Sequence, residues 1–288
     1  MSDTGINITE LPELNNPILI AGFDGWGNAL NVSKGMTTYL IGKLNAKKFA
    51  GLNPDVFYRF DELRPLVNIE DGKLKSLSPP GGSFFGVKTD EGVGDVVIFR
   101  ADEPSLRWFQ FVDELFVLCK KLGVETLITL GSMYDSVLHT DRIISGYSSN
   151  ETTSQQLKGK NISTVSYQGP GAIHSLINSE GPKRGITCIS LWSHCPYYLQ
   201  GTTHYGLLSH LGALLADLGG FQLNTDDLNE SWQELNEQIQ KLIDTSPELQ
   251  SAIQELRKQK VKGSWANMQE SLKKDDKVIN LKDFLDPQ

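Results

Sequence analysis

The sequence predicts an α/β fold: a layered, mostly parallel sheet flanked by helices, followed by a helical C-terminal appendage. Three observations predict it. Short apolar runs closed by glycine or polar turns recur through the first 220 residues. Segments whose apolar residues step by three and four lie between them. After Gly220 only the helical stepping continues. Strands that are apolar throughout are expected where helices cover both faces of a parallel sheet.

The elements follow in order. Pro17-Ile-Leu-Ile-Ala-Gly22 has the pattern of a buried strand. The loop Phe23-Asp-Gly-Trp-Gly27 precedes a helix from about Asn31 to Leu44. Asp55 to Phe60 and Asp95 to Arg100 are predicted strands, with a Pro/Gly-rich turn at Ser78 to Gly82 between them. Trp108, Val112, Leu115, Cys119 and Leu122 form a helical stripe, with Asp113, Glu114, Lys120 and Lys121 on the other face and Gly123 as the stop. Val124 to Leu130, Ile162 to Tyr167 and Ile186 to Trp192 are three more expected strands. Leu208, Leu211, Leu215 and Leu218 mark a helix ended by Gly219-Gly220. The α/β domain is therefore expected over residues 1–221 and the helical region over 222–288. In the latter, Leu228, Trp232, Leu235, Ile239 and Leu242 define one helix, and Leu249, Ile253 and Leu256 a second, entered through Ser246-Pro247. No strand-like run follows as far as Gln288.

Composition excludes several functions. The chain has 288 residues, 39% hydrophobic and 22% charged, an ordinary globular balance. A net charge of -8 disfavours both nucleic acid, which needs clustered Lys and Arg, and an anionic membrane surface. Met1 to Pro17 carries Asp3, Glu10 and Glu13 without a basic segment before an apolar one, so no signal peptide is expected. No segment approaches the roughly 20 apolar residues that span a bilayer. A cytoplasmic location is the expectation. Cys119, Cys188 and Cys195 form no CxxC pair, so neither a disulfide framework nor a zinc cage is indicated. Cys119 and Cys188, set among apolar residues, are expected to be buried thiols.

Ligands of open α/β sheets bind beyond the carboxyl ends of the strands. The segments expected there are Gly22 to Asn28, Gly131 to Asp135, Gln168 to Gly171 and Ser193 to Tyr198. If they converge, Asp24, Ser132, Gln168 and His194 line a cleft. Gly22, Gly25 and Gly27 give GxxGxG, neither the dinucleotide fingerprint nor a P-loop, and a tight turn explains them better. Trp26 at the tip of that turn suits a packing or partner contact rather than a phosphate. His139, His174, His194, His204 and His210 show no compact ligand spacing, so no metal and no cofactor are expected. Ser132, His139 and Asp141 are near in sequence but lack GxSxG, and Cys195 beside His194 precedes Pro196, which suits a rigid turn. No catalytic residue is assigned.

Six segments occur in a telling order: Ile20-Ala-Gly-Phe-Asp-Gly-Trp-Gly-Asn28, Glu103-Pro-Ser-Leu-Arg-Trp108, Leu130-Gly-Ser-Met133, His139-Thr-Asp-Arg142, Tyr167-Gln-Gly-Pro-Gly171 and Leu191-Trp-Ser-His-Cys-Pro-Tyr-Tyr198. Together they resemble the proteasome assembly chaperone 2 family in its bacterial branch, from about Pro17 to the C-terminal helices. The resemblance implies a fold similar to phosphorylase and hydrolase-like sheet proteins, self-association into homo-oligomers such as trimers, and proteasome subunits as partners. Eukaryotic relatives guide proteasome α-ring assembly without catalysis. The chain ends Phe284-Leu-Asp-Pro-Gln288, lacking the penultimate tyrosine used for docking into a proteasome ring.

Two functions are therefore carried forward. The first is a protein-binding or assembly-chaperone-like role without catalysis, using Trp26, Tyr197, Tyr198 and the amphipathic C-terminal helices. The alternative is a small-molecule enzyme or sensor with a strand-end cleft and His194 as acid/base.

Overall fold

The apolar runs of the sequence meet edge to edge in one sheet. The computed structural model describes residues 4–89 and 94–261, so the chain's last residues, including Phe284–Gln288, lie outside the described residues. In chain order the elements are β1 (Ile6–Ile8), β2 (Ile18–Asp24), α1 (Val32–Lys43), β3 (Lys47–Leu52), α2 (Pro54–Phe57), β4 (Leu66–Glu70), β5 (Lys73–Ser78), β6 (Gly82–Val87) and β7 (Val96–Asp102). They continue with α3 (Trp108–Leu122), β8 (Thr126–Asp135), β9 (Ile144–Ser148), α4 (Glu151–Gly159), β10 (Ser163–Thr164), α5 (Ile173–Glu180), β11 (Thr187–Pro196), α6 (Tyr205–Gly219), α7 (Asp226–Thr245) and α8 (Pro247–Val261).

Among the described residues, nine strands form the main sheet in the order β1-β3-β6-β7-β2-β8-β11-β9-β10. Its centre, β7-β2-β8-β11, is parallel, while β1, β3, β6 and β9 pair antiparallel on the flanks. Strand alternation divides the side chains between two cores. Ile20, Ile128, Leu130, Ile189 and Leu191 face α1 and α6. Leu19, Ala21, Phe23, Val97, Phe99 and Leu127 face α3 and α5. On the latter side Phe84 stacks on Phe99 at 4.0 Å, and Phe23 and Phe57 meet Phe111 edge-on. Each fully buried ring of this kind contributes roughly 1.5–3 kcal/mol relative to exposure.

Two helices end at the glycines where the sequence predicts. Gly123 adopts φ 73° after α3 and returns its N–H to Cys119, and Gly220 does the same after α6 with φ 66°. The appendage shares the core of the α/β layers: Leu228, Trp232, Leu235, Ile239, Ile243, Leu249 and Ile253 join the α1/α6 cluster. Ser246 Oγ accepts from Leu249 N at the start of α8, with Pro247 in its first turn.

Three expected elements differ. Asp55–Phe60 is not a strand but contributes to the short helix α2, because Asn53 caps it by accepting from Asp55 N and Pro54 suits the first helical position. Of Ile162–Tyr167 only Ser163–Thr164 pairs in the sheet, and Val165 and Tyr167 are exposed. The strands β8 and β11 run on to Asp135 and Pro196, so of the segments expected as strand-end loops Gly131 to Asp135 and the first part of Ser193 to Tyr198 are paired strand, and only Tyr197 and Tyr198 lie beyond it. Residues 66–78 form a separate two-stranded sheet, β4 with β5, turned by Asp71 and Gly72 at φ 51° and 70°. An Asp-Gly turn between alternating apolar residues is a strong hairpin signal that the strand–helix alternation does not include.

Candidate functional site

The glycine-rich loop 25–28 follows β2 and is held by Glu103 after β7 and by Ser132 within β8. Gly25, at φ 137°, turns the chain in a conformation that other side chains rarely adopt. Asn28 then organises the loop. Its Nδ2 donates to Asp24 Oδ1, and its Oδ1 accepts from Ser33 N at 3.0 Å, capping the start of α1. Lys34 Nζ reaches Asp24 Oδ2 at 2.7 Å. Burial raises the Asp24 pKa, but Lys34, Asn28 and the Gly25 N–H together outweigh it and hold the carboxyl below its ordinary value.

Ser132 fastens this loop from below: its N–H donates to Gly27 O and its hydroxyl to Ala29 O, each at 2.8 Å. It is buried and serves as a clasp. Glu103 performs a similar task one strand over. Its backbone N–H donates to Asp24 O, and its carboxylate accepts from Ile173 N at the start of α5, where the helix dipole favours an anion.

Trp26 stands on this loop, 64% exposed, with its ring edge-on to Trp192 at 6.4 Å. Trp192 is wedged over Gly131, where an added Cβ would fall 2.7 Å from its ring, and its Nε1 donates to Ser190 Oγ. Tyr197, 37% exposed, stacks on Tyr134 at 5.2 Å. Tyr198 turns inward. Its hydroxyl takes the His139 N–H and lies 2.9 Å from His139 Nδ1, and burial pushes its pKa up.

His194 lies on the other side of the sheet from Ser132. Ser132 pairs with Ser193 and Met133 with His194, so strand alternation sends the Ser132 and His194 side chains to opposite faces. His194 Nδ1 is 2.6 Å from Asp135 Oδ2, and its Nε2 is 2.8 Å from Ser145 Oγ. This line ties β8, β11 and β9 together. Gln168 sits apart on an exposed loop that Tyr167 closes by donating to Pro170 O. The four residues expected to share a cleft thus divide: Asp24 and Gln168 are open to solvent, and Ser132 and His194 are buried on opposite faces.

The nearby nucleophile candidates are similarly engaged. Cys195 is buried against Ala29 O, and burial pushes its thiol up to about 12. Cys119 and Cys188 are buried as expected. His139 bonds Tyr198 while Ser132 bonds Ala29, and Asp141 Oδ2 accepts from Leu138 N, so these three serve different contacts. Among the described residues no three His, Cys, Asp or Glu side chains gather as a metal site, and no helix is long and apolar enough to cross a membrane.

Sequence reasoning included Asn28, Glu103 and Asp135 only as members of segments, and it gave no role to them or to Lys34 and Ser145. Ser145 and Asp135 meet His194 only because β8 and β9 both adjoin β11, and no local spacing announces that. Asn28 carried a signal, an Asn a few residues before a helix.

A mixed α/β sheet with a locked aromatic turn at its carboxyl rim is the class the geometry defines. The sequence profile of the PAC2 family matches residues 19–243, and the chain belongs to that family. No curated protein matches it. Among solved structures, it is similar to a proteasome-assembly chaperone homologue from Mycobacterium tuberculosis (23% identity, TM-score 0.75, 82% of this chain and 99% of that one). A PAC2 family protein from Streptomyces avermitilis has 25% identity and a TM-score of 0.73 over 82% of this chain and 99% of its own. PbaB, an archaeal proteasome activator from Pyrococcus furiosus, has 20% identity and a TM-score of 0.65 over 84% and 99%.

Proposed function

We propose that this chain is a cytoplasmic, non-catalytic binding protein that acts in assembly as its chaperone homologues do, with proteasome-type subunits as the partner class. The observation that carries the reading is Trp26: a large aromatic side chain, mostly exposed, on a turn fixed by Asp24, Asn28, Ser132 and Gly25. A rigid exposed aromatic suits a binding hot spot, since little freedom is lost when a partner covers it. Tyr197, also partly exposed and ring-stacked, extends the surface on the same end of the sheet, and Asp24 adds a charged edge. Gln168 lies on a neighbouring exposed loop, whereas Ser132, His194 and Tyr198 support the surface from within.

The test is affinity capture from the native cytosol with wild-type and Trp26→Ala protein. The expected result is a stoichiometric partner whose recovery falls at least tenfold in the variant, with the unfolding midpoint unchanged. Equal recovery by both proteins would remove Trp26 from the interface and this reading with it.

A second reading has one specific observation behind it. Ser145, His194 and Asp135 are linked in the order of an acyl-transfer triad. Ser145 lies within paired β9 and is only 2% exposed, without the sharp turn that presents a nucleophile. The expected outcome is no labelling by a fluorophosphonate probe. Labelling that disappears in Ser145→Ala would establish catalysis instead.

A further inference from the structure

The strands β2 and β8 pair from Ile18 with Thr126 as far as Gly22 with Leu130, and then part. They rejoin at the bridge between Asn28 and Ser132, and the turn that carries Trp26 leaves through the gap. Where the ladder stops, two side chains take over. Ser33 Oγ, from α1, accepts from Phe23 N at 3.1 Å and donates to Leu130 O at 2.6 Å. It relays a bond that pairing one residue further would make directly. His174, from α5 on the opposite face of the sheet, places Nε2 2.9 Å from the same carbonyl oxygen. A carbonyl oxygen has two lone pairs and takes both donors.

The His174 ring is buried, with its centre 5.3 Å from that of Phe23 and 5.1 Å from that of Trp192. A Cβ at Gly27 would fall 3.0 Å from Trp192 Cη2 and 3.5 Å from His174 Cε1, so the loop backbone rests on both rings. Trp26 meets Trp192 edge-on. A column of rings therefore runs from the buried gap to the exposed rim, in the order His174, Trp192, Trp26. The backbone bonds of Ser132 and Asn28 place the turn, and this column sets which way the indole lies.

We infer that His174 is a positioning residue for the Trp26 contact: it holds Leu130 O with its Nε2–H and Trp192 with its ring, and so fixes the pose in which Trp26 is presented. The inference rests on the reading of Trp26 as the partner contact. A carbonyl only accepts, so Nε2 carries the proton and Nδ1 is bare. Nδ1 is buried and has no hydrogen-bond partner among the described residues. An apolar ring would fill the same space without leaving a nitrogen unsatisfied, a cost to stability. What histidine supplies here is thus the donor to Leu130 O. A pose held in advance reduces the freedom that Trp26 loses when a partner covers it.

The test is fluorine NMR of the full chain carrying fluorotryptophan, with Trp26 identified among the five tryptophans as the signal missing from Trp26→Ala. The expected result is one narrow Trp26 line in the wild-type protein. In His174→Phe, which keeps a ring but has no donor, that line should split or become about twofold broader, and partner capture should fall about fivefold. His174→Gln returns a donor near the Nε2 position, and its line should lie closer to wild type than that of His174→Phe. Gly27→Ala presses on Trp192 and His174 from the loop side and should disturb the same line, which keeps the inference testable should the His174 variants not fold. An unchanged Trp26 line in His174→Phe or, where that variant does not fold, in Gly27→Ala would overturn the inference. So would a His174→Gln line no nearer to wild type than that of His174→Phe, since packing alone would then explain the effect. Nitrogen shifts of the wild-type imidazole at neutral pH should place the proton on Nε2, and a proton on Nδ1 would equally overturn it. The Trp26 line reads the pose without any partner, whereas capture by Trp26→Ala reads the binding role, so either proposal can fail while the other stands.

Discussion

The strands β2 and β4 look alike on paper and live opposite lives. Ile18-Leu-Ile-Ala-Gly-Phe-Asp24 has neighbours on both edges and helices on both faces, and most of its side chains are inaccessible. Leu66-Val-Asn-Ile-Glu70 has one neighbour, and every one of its residues is exposed. The difference teaches that an apolar run specifies a demand for cover, while the tertiary arrangement decides whether the chain meets that demand itself. In β2 it does, through α1 and α3. In β4 the demand is left on the surface, as it is in miniature at Trp26.

Among single substitutions, the comparison can be broken most severely at the centre. Phe99→Ala removes a ring stacked between Phe84 and Phe111 and should destabilise the protein by about 3–5 kcal/mol, read from denaturant unfolding. An effect no larger than that of a hairpin substitution would erase the distinction between the two regions.

Acidification sharpens it next. Burial lowers the pKa of His139, His174 and His204 from 6.5 to about 4, with nearby Arg257 also lowering His139 and nearby His139 and Arg142 also lowering His204. The unfolded chain then binds more protons than the native one between these values. Stability from these groups is full above pH 6.5 and falls as pH drops toward 4, by at most about 1.4 kcal/mol per pH unit for each histidine. Unfolding midpoints measured across this range should fall on acidification. A flat profile would show that the three rings are not held neutral inside the fold.

A smaller effect is expected where β2 meets α1. A Cβ at Gly22 would lie 2.7 Å from Ser33 O and 2.6 Å from Thr37 Cγ2, so Gly22→Ala should cost about 1–3 kcal/mol through separation of helix and strand. Smallest is the rim. Trp26→Ala, and Tyr197→Ala beside Tyr134, should change folding stability by about 0.5 kcal/mol or less while weakening partner capture. A large loss of stability on Trp26→Ala would make it a core residue and leave the binding surface without its anchor.

Much of this architecture was legible residue by residue. The stripe from Trp108 to Leu122 and the stop at Gly123 locate α3, because a buried face and a left-handed cap are local properties. Leu228 to Ile239 locate α7 for the same reason. Asp55–Phe60 misled because its apolar residues suit a strand, whereas the Asn53–Pro54 cap had already started a turn of helix. The candidate site was legible only in part. Trp26 on a glycine turn was readable as exposed, but the separation of Ser132 from His194 depends on the register of β8 against β11 and on strands running past their expected ends.

The sequence by itself determined the α/β class, the helices that end at Gly123 and Gly220, and the acidic balance that disfavours nucleic acid. These follow from periodicity, turn chemistry and charge, which act over a few residues or over the chain as a sum. Only the tertiary structure decided that Asp135, His194 and Ser145 form a buried link, that Ser132 clasps the Trp26 loop, and that the hairpin's apolar face is left uncovered by the described residues. Those outcomes depend on which strands become neighbours and in what register, and pairing between residues distant in the chain leaves no mark on the local sequence.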